Sequence, residues 1–164
     1  MFMTDFVVRV MRDKIREWLM RDGIFKKEVQ DDKAEFHFVT EVPPVSSQFI
    51  DVIYPKNTDL ILVASGLKLS DEHYKAVMSL SERERDKFMW EIRFGLLFLP
   101  TEFQIIPDAR NPQLFQFTRK LYIENLTRQG LMDAIAEVHK CKLYIIWKLR
   151  ERFSDRKLDE IMYR

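Results

Sequence analysis

Lys120-Leu-Tyr-Ile-Glu-Asn-Leu-Thr-Arg-Gln-Gly-Leu-Met-Asp-Ala-Ile-Ala-Glu-Val-His139 decides how the rest of this chain is read. The stretch enters as the end of an alternating strand, with Phe115, Phe117 and Arg119 on one face and Gln116, Thr118, Lys120 and Tyr122 on the other. Thr127 then offers a side-chain oxygen to the free N–H groups of a helical first turn. After it, Leu131, Ile135, Val138, Ile145 and Leu149 recur at helical spacing, which predicts a long helix to about residue 153. A strand therefore runs directly into a capped helix.

Working outward, strands are expected at 102–106 and 113–123, joined by Pro107-Asp-Ala-Arg-Asn-Pro112. Ser81 with Glu84 forms a capping box for a helix that runs to about residue 99, before Pro100, and Ser70 caps a shorter one. Further upstream, 48–54 and 60–65 read as strands around the turn Pro55-Lys-Asn-Thr-Asp59. In 34–42, alternation gives Phe36, Phe38 and Val42 to a core, and Pro43-Pro44 ends the strand. A short strand at 24–29 is possible. The first helix, 5–22, is capped by Thr4 and stopped by Gly23 as a left-handed residue. The order is helix, three to four strands, two helices, two strands, helix. Segregated meanders of this kind make an α+β fold with an antiparallel sheet. Without a linker, repeat or low-complexity tract, residues 1–164 are expected to form a single domain, with 154–164 a short amphipathic tail carrying Leu158, Ile161 and Met162.

With 46% hydrophobic and 13% aromatic residues in 164, the chain has ample material for a core. The net charge of +1 gives no electrostatic reason to expect a nucleic-acid partner. Its distribution is uneven: 1–29 carries +2, 30–118 carries −5 and 119–164 carries +4, as solvated helix faces would. Cys141 is the single cysteine, so no intramolecular disulfide is expected and a cytoplasmic setting fits. Arg9, Arg12, Lys14 and Arg16 break the N-terminal segment, which therefore does not read as a signal peptide. The run 94–100 is far short of the ~20 apolar residues a membrane span needs.

Recognisable catalytic chemistry is missing from the pattern. His37, His73 and His139 fall on different elements with no second histidine at ligand spacing, and His139 and Cys141 point apart on one helix, so neither metal nor cofactor is expected. Cys141 lies on the core side and reads as a small buried hydrophobe. Glu82, Glu84, Asp86 and Glu91 alternate with Arg83, Arg85, Lys87 and Arg93, as a solvated helix does. Arg119-Lys120 with Phe117 and Tyr122 invites a nucleic-acid reading, but alternation assigns Phe117 to the core.

What stands out is excess apolar surface. In the 82–99 helix, Phe88, Ile92, Leu96 and Leu99 form one stripe, while Trp90, Phe94, Leu97 and Phe98 form another on nearly the opposite side. In the last helix Met132, Ala136, Leu143 and Trp147 widen the apolar stripe, leaving Asp133, Glu137, Lys140, Tyr144 and Lys148 as a polar wedge. Trp90, Phe94, Leu97 and Trp147 are accordingly the candidate interface.

The Leu126-Thr127-Arg128-Gln129-Gly130-Leu131 junction, the Phe36-His37-Phe38 strand before Pro43-Pro44, and Ser70 after the third main strand together resemble the type III secretion chaperone-like fold. The resemblance extends to the small uncharacterised bacterial and archaeal families grouped with that fold. Secretion chaperones of this fold bind an extended segment of a partner and commonly dimerise. The resemblance therefore implies a homodimeric, non-enzymatic chaperone-like or adaptor module that binds a protein segment. Secretion chaperones are acidic, whereas this chain is near neutral and has a longer basic last helix. The rival class is an enzyme with an unrecognised active site.

Overall fold

Short polar side chains start the helices where the sequence places them. Thr4 accepts from the Val7 N–H, Ser70 from His73, Ser81 from Glu84 and Thr127 from Gly130, at 3.4, 3.2, 3.2 and 2.9 Å. The computed structural model describes residues 4–153, and the tail expected at 154–164 lies outside the described residues. The elements are α1 (Asp5–Arg21), β1 (Phe25–Glu28), β2 (Ala34–Glu41), β3 (Phe49–Pro55), β4 (Leu60–Lys68), α2 (Asp71–Ser79), α3 (Glu82–Leu97), β5 (Glu102–Asp108), β6 (Asn111–Tyr122) and α4 (Arg128–Arg152). This is the expected α+β order, with the possible first strand present. A 3-10 turn at Ile123–Asn125 joins β6 to α4 and takes the last residue of the strand expected at 113–123. Gly23, at φ +71°, ends α1 in the left-handed conformation that lacks a penalty only for glycine.

The strands form one antiparallel sheet in the order β1-β2-β3-β4-β6-β5. Contacts along the chain define two compact units: residues up to Ser65 with Thr118–His139, and Gly66–Phe117 with Lys140 onward.

In the first unit α1 buries Ile15 and Leu19, and β2 and β3 pair in register, Phe36 against Tyr54, Phe38 against Val52 and Thr40 against Ile50. These six strand side chains are all buried, with Phe36 stacked on Phe38 at 5.0 Å and edge-on to Tyr54 at 5.6 Å. Thr40, the polar member, donates its hydroxyl proton to the Ile50 carbonyl at 2.8 Å, which removes the cost of burying it. Arg12 lies over the Phe38 ring and makes a bidentate pair with Glu28. Arg128 ties the start of α4 to Asp22, just past α1, at 2.9 Å. Only Ile15 and Leu19 of α1 are fully buried, and Val7 in its first turn is exposed.

In the second unit the core is Phe88, Met89, Ile92 and Leu96 of α3 with Phe115 and Phe117 of β6 and Cys141, Ile145, Ile146 and Leu149 of α4. Tyr74 of α2 donates to the Asn111 side chain at 2.6 Å, and the Leu69 N–H to the Gln113 carbonyl at 3.0 Å. Leu99 was expected in the core stripe. It lies beyond the end of α3 and is 36% exposed.

Candidate functional site: an uncovered aromatic face on α3 and α4

Contacts between α3 and α4 set how the two helices run. Arg152 lies 3.7 Å from Glu84, the Phe153 ring stands edge-on to Phe88 at 5.8 Å, and the Tyr144 hydroxyl donates to the Glu91 carbonyl at 3.2 Å. Residue numbers rise on one helix as they fall on the other, so the helices are antiparallel. Gly95 sits under Tyr144: a Cβ there would lie 1.9 Å from the tyrosine oxygen, so any larger residue would move that ring. Glycine here is a matter of close approach rather than backbone conformation.

With ~100° per residue, Phe94 and Trp90 turn about 100° and 140° from Gly95, in the sense opposite to the buried Ile92 and Leu96. Trp147, three residues on from Tyr144, likewise turns away from the buried Ile145 and Leu149. For an antiparallel pair, both rotations lead to the same outer side. The exposures agree: Trp90 51%, Phe94 57%, Leu97 60%, Phe98 85% and Trp147 59%. Trp90 and Phe94 stack at 5.6 Å, and the Arg93 guanidinium covers Trp90 at 4.4 Å from the ring centre. The rim carries both signs. Lys148 pairs with Glu151 at 3.2 Å, and that hydrogen bond raises its pKa above the usual lysine value. The four residues expected at an interface thus all lie in the second unit and all reach solvent.

Pattern reasoning did not identify a second surface, in the first unit. Val52 and Val63 pair across β3 and β4 and are buried, but the alternate pairs Ile53 with Leu62 and Asp51 with Ala64 lie on the opposite face and are only half-buried. Phe49, on that same face of β3, is 43% exposed. The signal was available in Leu60-Ile-Leu-Val-Ala64, an apolar run on both faces of a strand where a one-sided sheet would alternate.

His37 sits on this second face. Its Nδ1 lies 3.0 Å from an Asp31 carboxylate oxygen and its Nε2 2.9 Å from one of Asp51. Asp31 also accepts from the Lys33 N–H at 3.0 Å; this bond and the one to His37 hold its pKa below the usual carboxylate value. Among the described residues no group of three or more His, Cys, Asp or Glu side chains is placed to hold a metal ion. His73 is buried in α2 with Nδ1 3.1 Å from the Ser70 hydroxyl, and Cys141 is buried in α4. Arg119 is half-buried and lies 3.7 Å from Glu137, on the face shared with Phe115 and Phe117. Among the described residues no helix is long and apolar enough to cross a membrane.

Residues 11–149 match the family described as "Uncharacterized conserved protein (DUF2299)", and the chain belongs to that family. It is similar to the crystal structure of an uncharacterized protein from Methanothermobacter thermautotrophicus, with 31% identity and a TM-score of 0.82 over 87% of this chain and 98% of that one. It also shares a fold with a chain of the HopA1–SchA chaperone–effector complex, at 10% identity and a TM-score of 0.54, covering 93% of this chain and 100% of that one. No curated protein matches it. The expected kinship with uncharacterised families of chaperone-like fold is thereby met.

Proposed function

We propose that this DUF2299 protein is a non-enzymatic binding module of chaperone-like or adaptor type. It pairs with a second copy through the outer face of α3 and α4, and it takes up an apolar segment of another protein on the second face of β2–β4. The observation that carries the reading is the aromatic face built from Trp90, Phe94, Leu97, Phe98 and Trp147, five large apolar side chains all more than half exposed. At ~150–250 Å² per large side chain they offer on the order of 600 Å², close to the ~800 Å² that each partner gives a standard interface. A rim bearing Arg93, Lys148 and Glu151 carries both charges and can complement a copy of itself across a twofold axis. The shared fold with a chain of a chaperone–effector complex supports the reading at the level of fold. A cytoplasmic setting fits the lone, buried thiol of Cys141.

Sedimentation of the native protein and of a Trp90→Glu, Leu97→Glu double variant tests the self-pairing. A native dimer that becomes a folded monomer supports it, and a native monomer overturns it. For the segment, capture from native lysate is compared between the wild type and an Ile53→Lys, Leu62→Lys variant. A partner held by the first and lost by the folded second is the expected result; identical capture by both removes the sheet face from the proposal.

A further inference from the structure

The Asp31–His37–Asp51 cluster lies outside the aromatic face. Asp31 is in the turn between β1 and β2, His37 is on β2 and Asp51 on β3. Both ring nitrogens are within hydrogen-bond distance of a carboxylate oxygen, 3.0 and 2.9 Å. An ionised carboxylate only accepts, and a neutral imidazole has one N–H, so both bonds exist together only when the ring carries two protons. The turn hangs on the same aspartate: the Lys33 N–H donates to its side chain at 3.0 Å and the Ala34 N–H to its carbonyl at 3.1 Å, while the Val29 N–H donates to the His37 carbonyl at 2.9 Å.

We propose that Asp31, His37 and Asp51 form a proton-operated clasp that fastens the β1–β2 turn to β3. With the ring doubly protonated, both carboxylates are held and the outermost hairpin of the sheet is closed at its tip. Loss of one ring proton leaves a nitrogen lone pair facing a carboxylate, and one side of the clasp opens. The direction follows from the proton count alone: the clasp is complete with two ring protons and half-open with one. Other charges near the clasp are Asp32 and Lys33 in the turn, Lys27 on β1 opposite Val39, Glu35 and Glu41 on β2, Lys56 just past β3, whose N–H donates to the Lys33 carbonyl at 2.9 Å, and Lys26 on β1, which pairs with Glu41 at 3.3 Å. Because β1 is an edge strand, opening its turn loosens one border of the sheet.

Amide hydrogen exchange on the full chain, corrected for intrinsic rates, tests the clasp at Lys33 and Ala34. Protection should fall about fivefold between pH 5.5 and pH 8 in the wild type, a half-exposed charge-assisted bond being weaker than a buried one. The change should vanish in His37→Gln and in Asp31→Asn, each first checked for the native fold by circular dichroism. The ring's nitrogen resonances should show two N–H groups at pH 5.5. A ring with a single proton at that pH, or equal protection changes in the wild type and His37→Gln, would overturn the proposal.

Discussion

Phe88 and Phe94 are the same residue on the same helix, yet one is 5% exposed and the other 57%. Phe88 meets Phe153 edge-on within the core of the second unit; Phe94 stacks on Trp90 at the surface. Composition and helix propensity cannot distinguish them. What differs is the angle each makes with the line of contact to α4, which Gly95 and Tyr144 fix. Stability should therefore reside on one face of α3 and association on the other.

The largest expected effect contrasts the two phenylalanines. Phe88→Ala should cost about 3–4 kcal/mol in urea unfolding, because it opens a cavity among close-packed side chains, whereas Phe94→Ala should cost less than about 1 kcal/mol. Equal losses would mean that Phe94 is core and that the contrast fails. Next comes the contact that sets the angle. Gly95→Ala should displace the Tyr144 ring, break its bond to Glu91 and cost about 1 kcal/mol despite the better helix propensity of alanine. In a Tyr144→Ala background the same substitution should instead stabilise by about 0.5–1 kcal/mol, so a double-mutant cycle exposes the coupling. Smaller again, Trp90→Glu with Leu97→Glu should shift the unfolding midpoint of the monomer by under about 0.5 kcal/mol while abolishing self-association. A large destabilisation there would merge the two faces into one. The smallest effect lies in acid. The Lys33 N–H bond, with that to His37, depresses the Asp31 pKa, so its contribution is present above the unfolded value near ~3.9 and is lost as pH falls through the lower folded value. Asp31→Asn should flatten that part of the acid stability curve, read by urea midpoints at closely spaced pH.

Local chemistry made much of the fold legible. Thr4, Ser70, Ser81 and Thr127 cap helices because their oxygens are the nearest acceptors for unpaired first-turn N–H groups, a relation that needs no tertiary information. Phe36, Phe38, Phe115 and Phe117 were readable from alternation, because on both strands these residues, two apart, share one face and are buried together. The two apolar stripes of α3 were readable too, as was the exposure that follows if only one stripe can face the core. Other features depend on what lies across a strand pair or a helix seam. Tyr144 was assigned to a polar wedge, yet it is the residue that meets Gly95, because the wedge faces α3 on one flank. His37 showed no partner at sequence spacing: Asp51 reaches it only through the β2–β3 register, which places it diagonally across the pair. The β1–β2 pairing carries an irregularity between Phe25 and Lys27 that no periodicity announces.

Cys141, 1% exposed and within the core of the second unit, gives the protein a built-in clock. A thiol-reactive reagent cannot reach a sulfur so enclosed until α4 parts from its neighbours, so the rate of modification measures how often that happens. As the chain has a single cysteine, each modification event is assigned to one place without any engineering. A protein whose outer face is bound and one whose outer face is bare would then differ in a rate, and that rate could be followed in the unmodified molecule.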